Sequence, residues 1–80
     1  MRQERQEIFT DADIGTMVEV YDNLQQETYY PIIEGFDDSG LPMNLSINGE
    51  DWLSFNTNGR WGEFEITKTY PKKDYPEYYL

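Results

Sequence analysis

Residues 43–49 have the sequence Met43-Asn44-Leu45-Ser46-Ile47-Asn48-Gly49, and this stretch decides the class of fold that the chain can adopt. Apolar and polar side chains alternate along it with a period of two, which is typical of a β-strand. Asn48-Gly49 is a preferred pair for a tight hairpin turn, because the central residues of that turn need positive φ. The stretch therefore predicts a β-strand with its apolar side chains on one face, followed directly by a hairpin.

The same alternation recurs on both sides of this stretch. Upstream, Val18 and Val20 share one face of a segment whose other face carries Met17, Glu19 and Tyr21. Runs of Asp, Asn, Ser and Gly separate the alternating segments, as is typical of turns. The predicted strands cover residues 16–21, 28–36, 43–48, 51–56 and 60–68.

These segments predict a mainly β fold. Short strands joined by tight turns indicate a small antiparallel five-stranded meander that forms a rolled sheet or an SH3-like barrel. Pro31 has no amide hydrogen, which places the second strand at a sheet edge or at a bulge. Thr10 and Asp13 form a weak helix N-cap ahead of Gly15, so we expect at most one short N-terminal helical turn.

The length of 80 residues allows one small domain at most. We expect residues 1–80 to form a single β domain, with a polar N-terminal arm at 1–9. The C-terminal tail at 69–80 contains Pro71, Pro76 and four tyrosines. The prolines exclude a central strand, and the tyrosines predict that the tail packs on the barrel.

Composition argues against an enzyme. The chain has no Cys and no His, so the thiol nucleophile, the usual general base and the commonest metal ligand are missing. The adjacent carboxylates Asp37-Asp38 and Glu50-Asp51 fall in predicted turns, where solvated charge is ordinary. Asp11-x-Asp13-x-Gly15 is similar to the opening of a calcium loop, but Thr16 and Asp22 stand where that loop needs Gly and Glu. We therefore predict no catalytic residue, no metal site and no cofactor.

Charge is distributed very unevenly along the chain. Sixteen Asp and Glu against six Lys and Arg give a net charge of −10, and no Lys or Arg occurs from Gln6 to Gly59. Such a surface repels nucleic acid and anionic membranes. It attracts a basic protein surface. We therefore expect a protein partner, with no direct binding of nucleic acid or membrane.

The C-terminal half carries a resemblance. Phe55-x-x-x-Gly59-Arg60-Trp61, an acidic stretch, and then Tyr70-Pro71-x-Lys73-Asp74-x-x-Glu77-Tyr78 resemble a pattern in small uncharacterised proteins of tailed bacteriophages. In those proteins an aromatic residue is followed by a Gly-Arg-aromatic turn, then by Phe-Pro-Ser-Lys-Asp and a Trp near the end. In this chain Lys72 replaces the Ser, and Tyr78 replaces the Trp. The resemblance covers residues 53–78 and implies a phage or prophage origin and a small β fold. It carries no established activity, so it assigns no catalytic residue.

The sequence also predicts a compartment. No stretch approaches the roughly 18 apolar residues of a transmembrane helix, and the polar start, Met1 to Glu7, lacks the apolar run of a secretory signal. We expect a cytoplasmic protein, found in the host cytoplasm if a phage encodes it.

Acidic side chains on a rigid sheet suggest a function. Residues on one face of a strand repeat about every 6.6–7 Å, and neighbouring strands lie about 4.8 Å apart, so rows of carboxylates can imitate a phosphate backbone. We predict an acidic phage-type binding protein that inhibits a host nucleic-acid-binding protein, such as a defence nuclease, by occupying its basic surface as a DNA mimic. The candidate partner-binding residues are Glu19, Glu34, Asp37, Asp38, Glu50, Asp51, Glu63 and Glu65, with Tyr21 and Trp61 as aromatic anchors.

Two other interpretations stay open. The acidic surface can serve solubility alone. The chain can also be a structural or assembly module that self-associates, for example as a homodimer, through strand edges and tyrosines. Stacking of nucleic-acid bases on the aromatic side chains is disfavoured, because such sites need a basic groove beside them.

Overall fold

The computed structural model describes residues 9–45, 47, 49–57 and 62–79, and within these ranges the chain is mainly β, which confirms the predicted class. The strands are short, and the helical elements are single 3₁₀ turns. In chain order the elements are a 3₁₀ turn at Asp11–Asp13, β1 at Met17–Asp22, β2 at Glu27–Tyr29, β3 at Gly35–Phe36, β4 at Pro42–Asn44, β5 at Leu53–Ser54, β6 at Phe64–Tyr70 and a 3₁₀ turn at Pro76–Tyr79.

The strands form two antiparallel sheets rather than one meander. Their orders are β2-β1-β6 and β3-β4-β5, and the sheets meet at two isolated bridges, Met17–Ile32 and Asn56–Glu65. The predicted five-stranded meander, as a rolled sheet or an SH3-like barrel, is therefore wrong in its details: the described residues form six strands in two separate ladders and no closed barrel. The predicted strand at 28–36 is divided into β2 and β3, with Pro31 between them. Pro31 has no N–H to donate to a neighbouring strand. Its carbonyl accepts a 2.9 Å hydrogen bond from the Val18 amide.

The first sheet is built on β1. Its side chains alternate as predicted: Val18 and Val20 are fully buried, and Glu19 lies on the opposite face. β1 pairs with β6 along its whole length, with a bulge between Glu19 and Val20. The predicted strand at 60–68 is observed two to four residues later, as β6, and residues 60 and 61 lie outside the described ranges.

The stretch that predicted the fold behaves differently from its pattern. β4 ends at Asn44, whose side chain is 1% exposed. The side-chain amide of Asn44 donates a hydrogen bond through Nδ2 to the Ile32 carbonyl, and its Oδ1 accepts one from the backbone N–H of Ile47 at 2.9 Å. These side-chain bonds take the place of ladder hydrogen bonds, and the strand ends here. Gly49 has the expected positive φ of 73°. Asn48 lies outside the described residues, but the predicted hairpin does not follow a strand directly, because β4 already ends at Asn44 and β5 begins only at Leu53.

The core lies between the two sheets. Val18, Val20, Ile33 and Phe55 are fully buried, and burial of each such side chain stabilises the fold by about 1.5–3 kcal/mol. The Phe55 ring meets Phe64 edge-on, with centroids 6.4 Å apart. The partly buried residues around them are Phe9, Phe36, Ile47, Leu53, Phe64 and Ile66.

Both ends of the described chain carry a 3₁₀ turn. Thr10 caps the first in a capping box with Asp13, as the N-cap pattern predicted. The second, Pro76–Tyr79, corrects the expectation of at most one helical turn at the N-terminus. Pro76 fits the first position of such a turn because its φ is preset and its missing amide hydrogen is not needed there. The Tyr79 hydroxyl then accepts a 2.7 Å hydrogen bond from the Met17 amide, which joins the tail to β1.

Candidate protein-binding surface

The predicted partner-binding residues divide between the two sheets. The first sheet carries Glu19 and Tyr21 on β1 and Glu65 on β6, and Glu63 directly precedes β6. The second sheet and its loops carry the other five acids. Trp61 lies outside the described residues. The acids on the second sheet are Glu34, Asp37, Asp38, Glu50 and Asp51.

On the first sheet the acids are mixed with a cation. Glu19 lies directly opposite Lys68 in the β1–β6 register, so the two side chains share a face. The Glu19 carboxylate accepts hydrogen bonds from Thr67 Oγ1 at 2.7 Å and from the Tyr30 hydroxyl at 3.2 Å. The bond to Glu19 raises the pKa of Tyr30. Glu19 is therefore held by its own sheet.

The other candidate residues of the first sheet lie at its opposite end. Tyr21 lies opposite Glu65 on β6 and opposite Thr28 on β2. Glu63 is exposed just before β6, and its carbonyl accepts a 2.7 Å hydrogen bond from the Asn23 amide. The structure thus brings Tyr21 and Glu65 together on one face, with Lys68 on the same strand. On this sheet a cation therefore lies among the candidate acids.

Four tyrosines occupy the end of the sheet beyond Lys68. The Tyr70 ring has Tyr75 at 5.0 Å and Tyr78 at 5.5 Å, measured between centroids, and Tyr30 at 6.4 Å. Lys68 Nζ lies 4.9 Å from the Tyr70 centroid, a cation–π contact. Charge interactions with Tyr75 and Tyr70, and more weakly with Glu19, raise the pKa of Lys68. This aromatic group is therefore already engaged with a cation of the same chain.

Two acids of the second sheet help to hold its backbone. Glu34 Oε1 accepts a 2.8 Å hydrogen bond from the Leu45 amide. Asp37 accepts from the amides of Ser39 and Leu41 at 2.8 and 2.9 Å and from Ser54 Oγ at 2.8 Å. Burial raises the pKa of Asp37, but these hydrogen bonds outweigh it and lower the pKa below its ordinary value. Asp37 stays ionised to lower pH than an unpaired carboxylate.

The exposed acids stand at the two ends of this sheet. Asp38 lies in the turn that joins β3 to β4, and Glu50 and Asp51 lie in the connection from β4 to β5. The two connections leave β4 from opposite ends. Leu41 and Leu45 are four residue-to-residue steps apart, which in extended chain corresponds to about 13 Å. The sheet therefore carries anionic groups at both ends of its middle strand.

Between these ends lies a shallow apolar groove that the sequence did not predict. Gly35, Phe36, Met43 and Trp52 line it, and its volume is about 310 Å³. Gly35 and Met43 are register partners on β3 and β4. The Trp52 side chain is 52% exposed. The one sequence signal was the position of Trp52, which alternates with the apolar residues Leu53 and Phe55 and so faces away from the core.

Other kinds of site have no support in the described part of the chain. There, Asp and Glu side chains form no group of three that could hold a metal ion, and helices of the length and apolarity needed to cross a membrane are absent. The turn Gly59-Arg60-Trp61, on which the resemblance to phage proteins partly depends, lies outside the described residues, and the resemblance stays a prediction. The chain matches no protein-family model, and no curated protein or solved structure matches it.

Proposed function

We propose that the protein is an acidic, phage-type binding protein that inhibits a nucleic-acid-binding protein by occupying its basic surface. The observation that carries the proposal is the second sheet: residues 34–54 contain five carboxylates and no Lys or Arg. Basic surfaces that bind nucleic acid present Lys and Arg to phosphates. A sheet whose own strands and loops carry carboxylates and no Lys or Arg competes for the same side chains.

The second sheet supports this function better than the first. Lys68 lies opposite Glu19 and offsets its charge, whereas the second sheet has no basic residue in its strands or in either loop. Asp37 adds rigidity, because its hydrogen bonds fix the turn in which the exposed Asp38 lies. Charges held in a fixed geometry lose less conformational freedom when they meet a partner.

The experiment has two stages. The protein is first used to capture partners from a bacterial lysate at low and at high salt, because a charge-driven complex weakens as salt rises. Each captured protein is then purified and bound to labelled duplex DNA. The acidic protein is added to this complex, and the displacement of the DNA is followed by fluorescence anisotropy. We expect displacement at low salt and its loss at high salt. Light scattering on the isolated protein tests the assembly interpretation, which instead predicts a salt-insensitive oligomer.

Matched charge reversals locate the surface. Asp38→Lys with Glu50→Lys changes the second sheet, and Glu63→Lys with Glu77→Lys makes the same change in net charge at exposed positions elsewhere. We expect the first pair to weaken displacement at least tenfold and the second pair about twofold, because distant charges are screened. Equal losses for both pairs contradict a localised surface, and no loss for either contradicts the electrostatic proposal.

A further inference from the structure

The apolar groove on the second sheet has the character of a small binding site. Trp52 is half exposed at one side of it, and Trp is among the residues that most often anchor protein interfaces. Met43 and Phe36 supply further apolar surface. Because the groove lies between the two acidic ends of the sheet, a partner that meets the acids also passes over it.

Gly35 is the second observation that points to a ligand. It lies in β3, where glycine is unfavourable to the strand, and its φ is not positive, so the backbone does not require glycine. A Cβ atom at this position would have no heavy atom within 4 Å. Glycine in a strand often marks a bulge, a tight bend, or a place where a ligand or another backbone approaches closely, and β3 pairs with β4 without a register shift. At Gly35 that open space forms part of the groove.

The length of β4 sets the length of the occupant. The connections that carry Asp38 and Glu50 leave β4 at Leu41 and Leu45, positions that are about 13 Å apart along extended chain. In an extended segment, residues i, i+2 and i+4 point to the same side. A segment with basic residues at i and i+4 therefore meets both ends, and its residue i+2 lies over the groove.

We propose that the groove of Gly35, Phe36, Met43 and Trp52 receives one apolar side chain from an extended segment of the basic partner, with Lys or Arg two residues away on either side. This inference rests on the proposed function and adds the recognition element. Charge complementarity speeds the encounter and disfavours acidic partners, and the buried apolar side chain adds a contact that distinguishes one basic partner from another.

Three blocked peptides with neutral Ser flanks test the inference by titration calorimetry. Their centres are Arg-Ser-Leu-Ser-Arg, Arg-Ser-Ser-Ser-Arg and Arg-Leu-Ser-Ser-Arg. The first and third have the same composition, but in the third the Leu points to the other side. We expect the first to bind about tenfold more tightly than either other peptide, with amide and indole NMR shifts at Gly35 and Trp52.

Substitutions in the groove complete the test. Gly35→Ile fills the open space of the groove, and Trp52→Ala removes the aromatic ring on one side of it. We expect each variant to bind the three peptides with equal affinity. Leu24→Ala, which truncates an apolar side chain 65% exposed in another turn, keeps the tenfold preference. Thermal unfolding of each variant verifies its fold. Equal binding of the three peptides by the unsubstituted protein overturns the inference, as does a preference that survives Gly35→Ile.

The outcomes separate this inference from the proposed function. Displacement of DNA from a captured basic protein, without any preference among the peptides, removes the groove and keeps the charge-driven inhibition. A preference for the Leu-centred peptide, without displacement of DNA, keeps the groove and removes the inhibition. Failure of all three peptides to bind overturns the groove inference whatever the displacement assay shows.

Discussion

The Ser54 hydroxyl donates a 2.8 Å hydrogen bond to the Asp37 carboxylate, and this contact joins β5 to the turn between β3 and β4. The same carboxylate accepts from two amides of its own turn. Asp37 therefore connects all three strands of the second sheet through its side chain, and these hydrogen bonds favour its ionised form.

The pKa of Asp37 gives the first prediction, for the dependence of stability on pH. Burial raises this pKa, but the hydrogen bonds from Ser54 and from the amides of the turn outweigh it, so in the folded state it lies below the ordinary value of 3.8. The unfolded chain then takes up the proton at higher pH than the folded chain. The stabilisation is fully present above the unfolded-state pKa and is lost as pH falls through the folded-state pKa.

Asp37→Asn removes the charge and tests this dependence. We expect the variant to be less stable at pH 7 by about 1 kcal/mol, the order expected for weakened hydrogen bonds. The difference should shrink in thermal melts below about pH 4. Asp38→Asn, at the exposed neighbouring position, is the control and should change stability little at either pH. A constant difference between Asp37→Asn and the unsubstituted protein across this range would contradict the assignment.

Alternation of apolar and polar residues predicts the buried face of β1 correctly and that of β4 incorrectly, for one physical reason. Val18 and Val20 are buried because they pack with Ile33 and Phe55 in the core, so the face that the alternation marks as apolar is the buried one. In β4 the polar Asn44 is buried, because its amide satisfies groups at Ile32 and Ile47. Periodicity shows which side chains share a face, but the partners of a polar side chain decide whether that face can be buried.

The candidate site was predictable in charge but not in arrangement. The Lys/Arg-free interval is visible in the sequence, and it does place five acids on one sheet and its loops. The partners of individual carboxylates depend on strand register between distant segments, as for Glu19 with Lys68. The groove likewise combines Gly35 with Trp52, which no local pattern connects.

Asn44 provides the second prediction. Asn44→Leu is close in volume but leaves the Ile32 carbonyl and the Ile47 amide without their side-chain partner. We expect the free energy of unfolding in urea to fall by about 2–3 kcal/mol, because an unsatisfied buried polar group costs its desolvation. Asn23→Leu is a useful comparison, since Asn23 is also hydrogen-bonded through its side chain, to the Gly62 carbonyl, but is only half-buried and lies in the turn after β1. A smaller loss for Asn44→Leu than for Asn23→Leu would contradict the role given to Asn44.

The third prediction compares Phe55 with Trp52, two aromatic residues on opposite faces of the same segment. Phe55 is fully buried and Trp52 is 52% exposed. Phe55→Ala should cost about 3–5 kcal/mol, a large share of the stability of a small domain, and should leave the protein largely unfolded by circular dichroism. Trp52→Ala should keep a cooperative melt with a small shift. Comparable destabilisation by both substitutions would place Trp52 in the core and remove the groove.

The tail gives the last prediction through one hydroxyl group. Tyr79 accepts from the Met17 amide at 2.7 Å and donates to the Tyr70 carbonyl, and Met17 and Tyr70 are register partners at the end of the β1–β6 ladder. Tyr79→Phe leaves both backbone groups without this partner, at a cost of about 1–3 kcal/mol. Because the loss is local, the Met17 amide should exchange with solvent at least tenfold faster in hydrogen-exchange NMR, while the Val20 amide changes little. Tyr78→Phe removes a hydroxyl from the adjacent, 48% exposed ring and is the matched control. Unchanged exchange at Met17 in Tyr79→Phe, or equal acceleration in Tyr78→Phe, would show that this hydroxyl does not hold the tail against β1.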